Sequence, residues 1–119
     1  MVVATIESRE KWNDTGIDLI EGHRYAYIAT GRWMDWKTEC DADGYSSFCL
    51  DLVSITKRRP CAKWFQLIGV VNKNPIELGT KGTFIAPANG RLLAYANDAG
   101  FAYGNNSGHI ELEVSLELL

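Results

Sequence analysis

The sequence predicts an all-β fold, a small antiparallel β-sandwich, on three observations. β-Branched and aromatic residues are plentiful, with nine Ile, seven Thr, six Val and 13 aromatics among 119 residues, a composition that suits pleated, half-buried surfaces. Apolar residues fall in short runs, several alternating with polar ones and bounded by Gly, Asn, Asp or Pro, the pattern of strands joined by turns. No window of a dozen residues keeps an i, i+3, i+4, i+7 apolar stripe clear of Gly or Pro, so helices find no support.

The elements follow in order. Residues 2–8 alternate weakly and lead to a polar stretch ending at Asp14-Thr15-Gly16. Residues 17–20 form a short strand closed by Glu21-Gly22. Residues 23–30 place Tyr25 and Tyr27 on one face, Ala26 and Ile28 on the other. The long apolar run 62–71 reads as a central strand, after which Asn72-Lys73-Asn74-Pro75 turns the chain. Residues 82–86 and 91–96 flank Pro87-Ala88-Asn89-Gly90. Asn-Gly between apolar runs signals a hairpin, because a type I′ turn needs positive φ at both central positions. Residues 108–117 alternate cleanly, with Ile110, Leu112, Val114 and Leu116 facing in and Glu111, Glu113, Ser115 and Glu117 facing water, as in a sheet with one wet face.

Residues 1–119 are read as one domain. Leu, Ile, Val and Phe supply 30 of the 119 residues, enough apolar material to fold, and a chain of this size buries about two-thirds of its unfolded surface. A net charge of −3 offers no basic face for nucleic acid. No apolar run approaches the ~20 residues of a membrane span, which argues against membrane insertion. The first residues carry no basic segment, so the expected location is the cytoplasm, or outside the cell without a standard signal peptide. Cys40, Cys49 and Cys61 cannot all pair within one chain; one disulfide and three free thiols both remain open.

Two long loops, 34–61 and 97–107, interrupt the strands, and long loops in small domains tend to carry function. Loop 97–107 sets Asp98, Asn105, Asn106 and Ser107 between two strands, with Gly100 and Gly104 permitting sharp bends. Calcium takes about 6–8 oxygens at 2.3–2.6 Å from carboxylates, amides and backbone carbonyls, and one carboxylate with two adjacent amides suits such an ion. The same residues also suit a plain hairpin loop with Asx-turns.

The segment Tyr95-Ala96-Asn97-Asp98-Ala99-Gly100-Phe101-Ala102-Tyr103-Gly104-Asn105-Asn106-Ser107-Gly108 resembles the calcium loop of the PA-IL-like (LecA-like) bacterial galactophilic lectins. Gly31-Arg32-Trp33-Met34-Asp35-Trp36, Phe84-Ile85-Ala86-Pro87-Ala88-Asn89 and Cys61 fall in family order at near-family spacing. The resemblance implies a sandwich of galactose-binding-domain-like or jelly-roll type and a calcium-dependent lectin for terminal galactosides, without catalysis. It implies Ca²⁺ held by the side chains of Asp98, Asn105 and Asn106 and the backbone carbonyls of Trp36 and Ala102. Two vicinal sugar hydroxyls complete the shell, while Asp98, Asn105 and Asn106 hydrogen-bond those hydroxyls and the backbone at Ala99 lies alongside. A single carboxylate leaves the ion with net positive charge, for which the expectation is moderate metal affinity. The related lectins are tetramers, so a homo-oligomer, tetramer or dimer, is expected, with galactose-containing glycans as partners.

The family's His and Gln that contact the sugar's O6 have no counterpart between Lys37 and Pro60. Asp41 and Asp43 are the candidates for that contact, and Trp36 or Tyr45 for an apolar wall against the sugar. Asp41-Ala42-Asp43-Gly44 also resembles part of an EF-hand loop, but Leu52 stands where a bidentate Glu is required, so a solvated turn is the better account. His23 and His109 are read as strand-surface residues and Lys57-Arg58-Arg59 as a solvated turn. Trp64 is read as core. The alternatives to a galactoside lectin are a non-catalytic interaction module using Ca²⁺ only structurally, a lectin of altered sugar specificity, and a glycan-processing enzyme. The last lacks an opposed pair of carboxylates.

Overall fold

The structure, a computed structural model, describes residues 2–46 and 54–117. Within them the alternating runs become ten strands: β1 (Val2–Glu7), β2 (Asn13–Leu19), β3 (Arg24–Thr30), β4 (Trp33–Asp35), β5 (Thr38–Cys40), β6 (Leu67–Val71), β7 (Asn74–Glu77), β8 (Lys81–Ile85), β9 (Gly90–Ala96) and β10 (Asn106–Leu116). They form two antiparallel sheets, as the sequence predicts. One runs β5-β4-β10-β3-β8 with β1 also on β10; the other runs β2-β9-β6-β7.

Strand β10 is the spine of the first sheet. Residues 106–108 pair with β4, 109–114 with β1 and 111–116 with β3. Its alternation puts Ile110, Leu112 and Val114 in the core, as expected, whereas Leu116 is 45% exposed. Leu116 lies opposite Tyr25 in the last residue pair between β10 and β3. Tyr25, Tyr27 and Ala29 of β3 face the same core, and Ile28 faces out. Trp33 on β4 meets Phe65, just before β6, edge to face at 5.8 Å, a contact that joins the sheets and adds about 0.5–1.5 kcal/mol to the apolar burial.

Three sequence expectations are corrected. The run 62–71 is a strand only over Leu67–Val71; Phe65 takes a left-handed φ of 60° and gives its amide to the Asn97 carbonyl (2.7 Å). Asn89-Gly90 is not a hairpin, since β8 pairs with β3 and β9 with β2 and β6. The chain crosses there from one sheet to the other, and Asn89 Oδ1 accepts the Glu21 amide (2.8 Å) instead of closing a two-strand turn. The tight hairpin is at Asn72-Lys73, with φ of 46° and 68°, between β6 and the unforeseen β7. Loop 34–61 begins with β4 and β5, strands too short to alternate visibly.

Candidate functional site

Two elements meet at the end of the sandwich. Strands β4 and β10 put Asp35 directly opposite Asn106, and the chain leaving β9 delivers Asn97 and Asp98. Asn97 is fully buried and fixes the departure: its Oδ1 accepts the Arg59 amide, and its Nδ2 donates to the carbonyls of Arg59 and Lys63, all at 2.9–3.0 Å. After Asp98 a turn is closed by the Ala102 amide on the Ala99 carbonyl (2.9 Å), and a 3₁₀ turn, Tyr103–Asn105, leads into β10.

Asp98 is only 3% exposed. Its Oδ1 accepts the Ala99 amide (2.8 Å), while Oδ2 is buried without a hydrogen-bond partner. Burial pushes its carboxyl up to about 6; the Asp35 charge adds to the rise, while the Ala99 amide and the Asn106 side chain oppose it. Asn106 is 1% exposed. Its Nδ2 donates to the Ser8 carbonyl (2.9 Å), which fixes the amide orientation and leaves Oδ1 buried with nothing to accept. Two neighbouring buried oxygens therefore lack donors, and an unsatisfied buried acceptor costs about 1–3 kcal/mol. Such acceptors are satisfied by a hydrogen-bond donor or by a cation.

The other expected ligands lie on the two segments that flank Asn106, the β4–β5 turn and the 98–105 loop. Asn105 is exposed, and its carbonyl accepts the Trp36 amide (3.2 Å). Trp36 is the first residue of the two-residue β4–β5 turn, at a φ of 54° that a primed turn requires and that a bulky residue rarely adopts. Its ring is 65% exposed, with the Lys37 ammonium 4.7 Å above it. Ala99 is buried against Asp98 and Ala102 is half-buried. Among the described residues no three His, Cys, Asp or Glu form a metal-holding cluster. The site is built of carboxylate, amide and carbonyl oxygens, the hard donors calcium takes.

Asp41 and Asp43 do not join it. Asp41 Oδ1 accepts the Asp43 amide (2.9 Å) within their own turn, and Asp43 accepts the amide (2.8 Å) and hydroxyl (3.2 Å) of Thr80, which ties that turn to the start of β8. Tyr45 is half-buried, and its hydroxyl donates to Asp35 Oδ2. Cys40 and Cys61 are free thiols, one buried and one exposed, and Cys49 lies outside the described residues. His23 and His109 are exposed on or beside their strands.

Sequence reasoning missed the part played by Lys57-Arg58-Arg59. Far from being a solvated turn, Lys57 is 7% exposed; its ammonium donates to the Ala62 carbonyl (2.7 Å) and lies 5.1 Å from the Trp64 ring. The Arg58 guanidinium packs on the rings of Tyr95 (3.4 Å), Trp12 (4.3 Å) and Tyr103 (5.6 Å) and donates to the Tyr103 hydroxyl (3.1 Å). The Arg58 amide donates to the Asp98 carbonyl (3.1 Å), so this clasp grips the loop that carries the carboxylate. The visible signal was three aromatics, Trp12, Tyr95 and Tyr103, with no obvious place in the core. Arg58→Ala is expected to lower stability by about 2 kcal/mol, and Arg58→Lys to recover little of it, because an ammonium cannot stack as a planar guanidinium does; urea unfolding midpoints measure both.

No protein-family model matches the chain, and no curated protein does. Among solved structures, the N-terminal domain of EclA, described as a PllA-like lectin, matches with a TM-score of 0.77 at 15% sequence identity, over 98% of this chain and 97% of that one. The chain has the fold of a PllA-like lectin domain. The sandwich expected from strand alternation and composition is thereby borne out, and the Trp36–Asn105 hydrogen bond sets the loop after β9 beside the β4–β5 turn.

Proposed function

We propose that the protein is a non-catalytic, calcium-dependent lectin that binds terminal galactosides. The observation that carries this reading is the pair of buried acceptors, Asp98 Oδ2 and Asn106 Oδ1, left without donors beside an exposed amide, Asn105. The side chains of Asp98, Asn105 and Asn106 and the carbonyls of Trp36 and Ala102 would hold Ca²⁺. Five protein oxygens leave room for about two more in calcium's usual shell, the number a vicinal diol supplies. When bound, the ion polarises sugar hydroxyls and discriminates between diol geometries. The exposed Trp36 ring offers an apolar face for the sugar's C–H surface. One shallow site binds weakly, so a homo-oligomer, dimer or tetramer, would supply avidity by presenting several sites together. The fold shared with a PllA-like lectin domain supports glycan binding as the class of activity.

Isothermal titration with galactose is expected to give binding heat in calcium and none after excess EDTA. Equal heat in both would overturn calcium dependence. Calcium binding without heat from any glycan would select the alternative, an interaction module in which Ca²⁺ is structural. Preference for mannose or fucose on a glycan array would replace galactose as the ligand.

A further inference from the structure

Loop 97–107 carries one acid, Asp98, yet a second carboxylate stands on the strand that pairs with Asn106. Asp35 is paired with Asn106 across β4 and β10. Strand alternation puts its side chain on the same side as Trp33, which is fully buried. It is half-buried, with Oδ2 held by the Tyr45 hydroxyl. Tyr45 is itself anchored by its amide on the Trp64 carbonyl (2.8 Å). Directly opposite residues of paired strands project from the same face, so the Asp35 and Asn106 side chains stand side by side.

Resting on the calcium reading above, we propose that Asp35, oriented by Tyr45, is a second acidic group of the cation site, so that two carboxylates balance the ion's double charge. Two like charges at a partly buried site oppose folding until a cation arrives between them. The independent sign of that cation is the unpartnered, buried Asp98 Oδ2 and Asn106 Oδ1 on the same spot. Affinity in oxygen-ligand sites rises with the number of charged ligands, so the site is expected to bind calcium more tightly than its single loop acid implies.

Calcium titration calorimetry and Tb³⁺ luminescence, with Trp36 as the sensitiser, test this on the full chain. Asp35→Asn is expected to weaken calcium binding about tenfold while galactose affinity at saturating calcium changes less than about twofold. Tyr45→Phe keeps the charge and is expected to stay within about threefold of wild type. If Asp35→Asn binds calcium as wild type does while Asp98→Asn does not, the second acid is overturned and the calcium reading stands. If the wild type binds neither Ca²⁺ nor Tb³⁺, both fall. If Tyr45→Phe loses as much as Asp35→Asn, the pair is architectural and the charge role is overturned.

Discussion

Asp98→Asn is expected to abolish the calcium-induced rise in melting temperature and, in EDTA at pH 7.5, to raise the melting temperature by roughly a few degrees. The two effects have opposite signs for one reason. The Asp98 carboxyl is pushed up to about 6 from 3.8, first by burial. Between those values the folded state holds a proton that the unfolded state has released. Stability from this group is therefore greatest below about pH 4, falls as pH rises to about 6, and above that the full cost of a buried charge is present. Metal-free wild type should gain stability on acidification from pH 7 to 5 in this respect, and the amide variant should not. In calcium the order reverses, because the ion neutralises the carboxylate in the wild type and finds a weaker ligand in the variant. Loss of a charged ligand is expected to weaken calcium binding by about 100-fold, and galactose binding should go with it. Differential scanning fluorimetry at pH 5, 6 and 7.5, with calcium or EDTA, reads every arm. A calcium shift that survives in Asp98→Asn would remove the loop from the cation site.

Gly44→Ala is expected to cost about 3 kcal/mol or more and to disturb the site from a distance. Gly44 has a φ of 76°, and a Cβ there would lie 2.4 Å from the Trp64 carbonyl oxygen and 2.6 Å from the Gln66 amide nitrogen. Both are backbone atoms and cannot swing aside. The next residue, Tyr45, pairs with Trp64 and reaches Asp35, so relief of the clash must pull Tyr45 away from its carboxylate. A lowered urea midpoint together with weakened Tb³⁺ binding would show both consequences. Unchanged stability would mean that the close approach is looser than the structure has it.

The candidate loop stood out in sequence because Asp98 and the Asn105-Asn106 pair fall within one short stretch that resembles a known calcium loop; residue types alone suit a plain hairpin loop equally. The frame was legible because β10 alternates without a break. Asp35 was not, since its place depends on a cross-strand pairing with Asn106 that only the register of β4 decides. Lys57 was misread because a lysine looks solvated until Trp64 and the Ala62 carbonyl are brought to it. Asn89-Gly90 was misread as a hairpin because the local signal for a bend is the same whether the next strand pairs with its predecessor or crosses to the facing sheet.

The role of β10 as common partner to β1, β3 and β4 has a consequence for biosynthesis. Until residues beyond Asn105 have emerged from the ribosome, those three strands share no partner and expose backbone edges open to other chains. Asn106 is also missing from the cation site until then. On the proposed reading, calcium capture would have to wait for the synthesis of β10, and truncations before Asn106 should be recovered as aggregates without affinity for calcium.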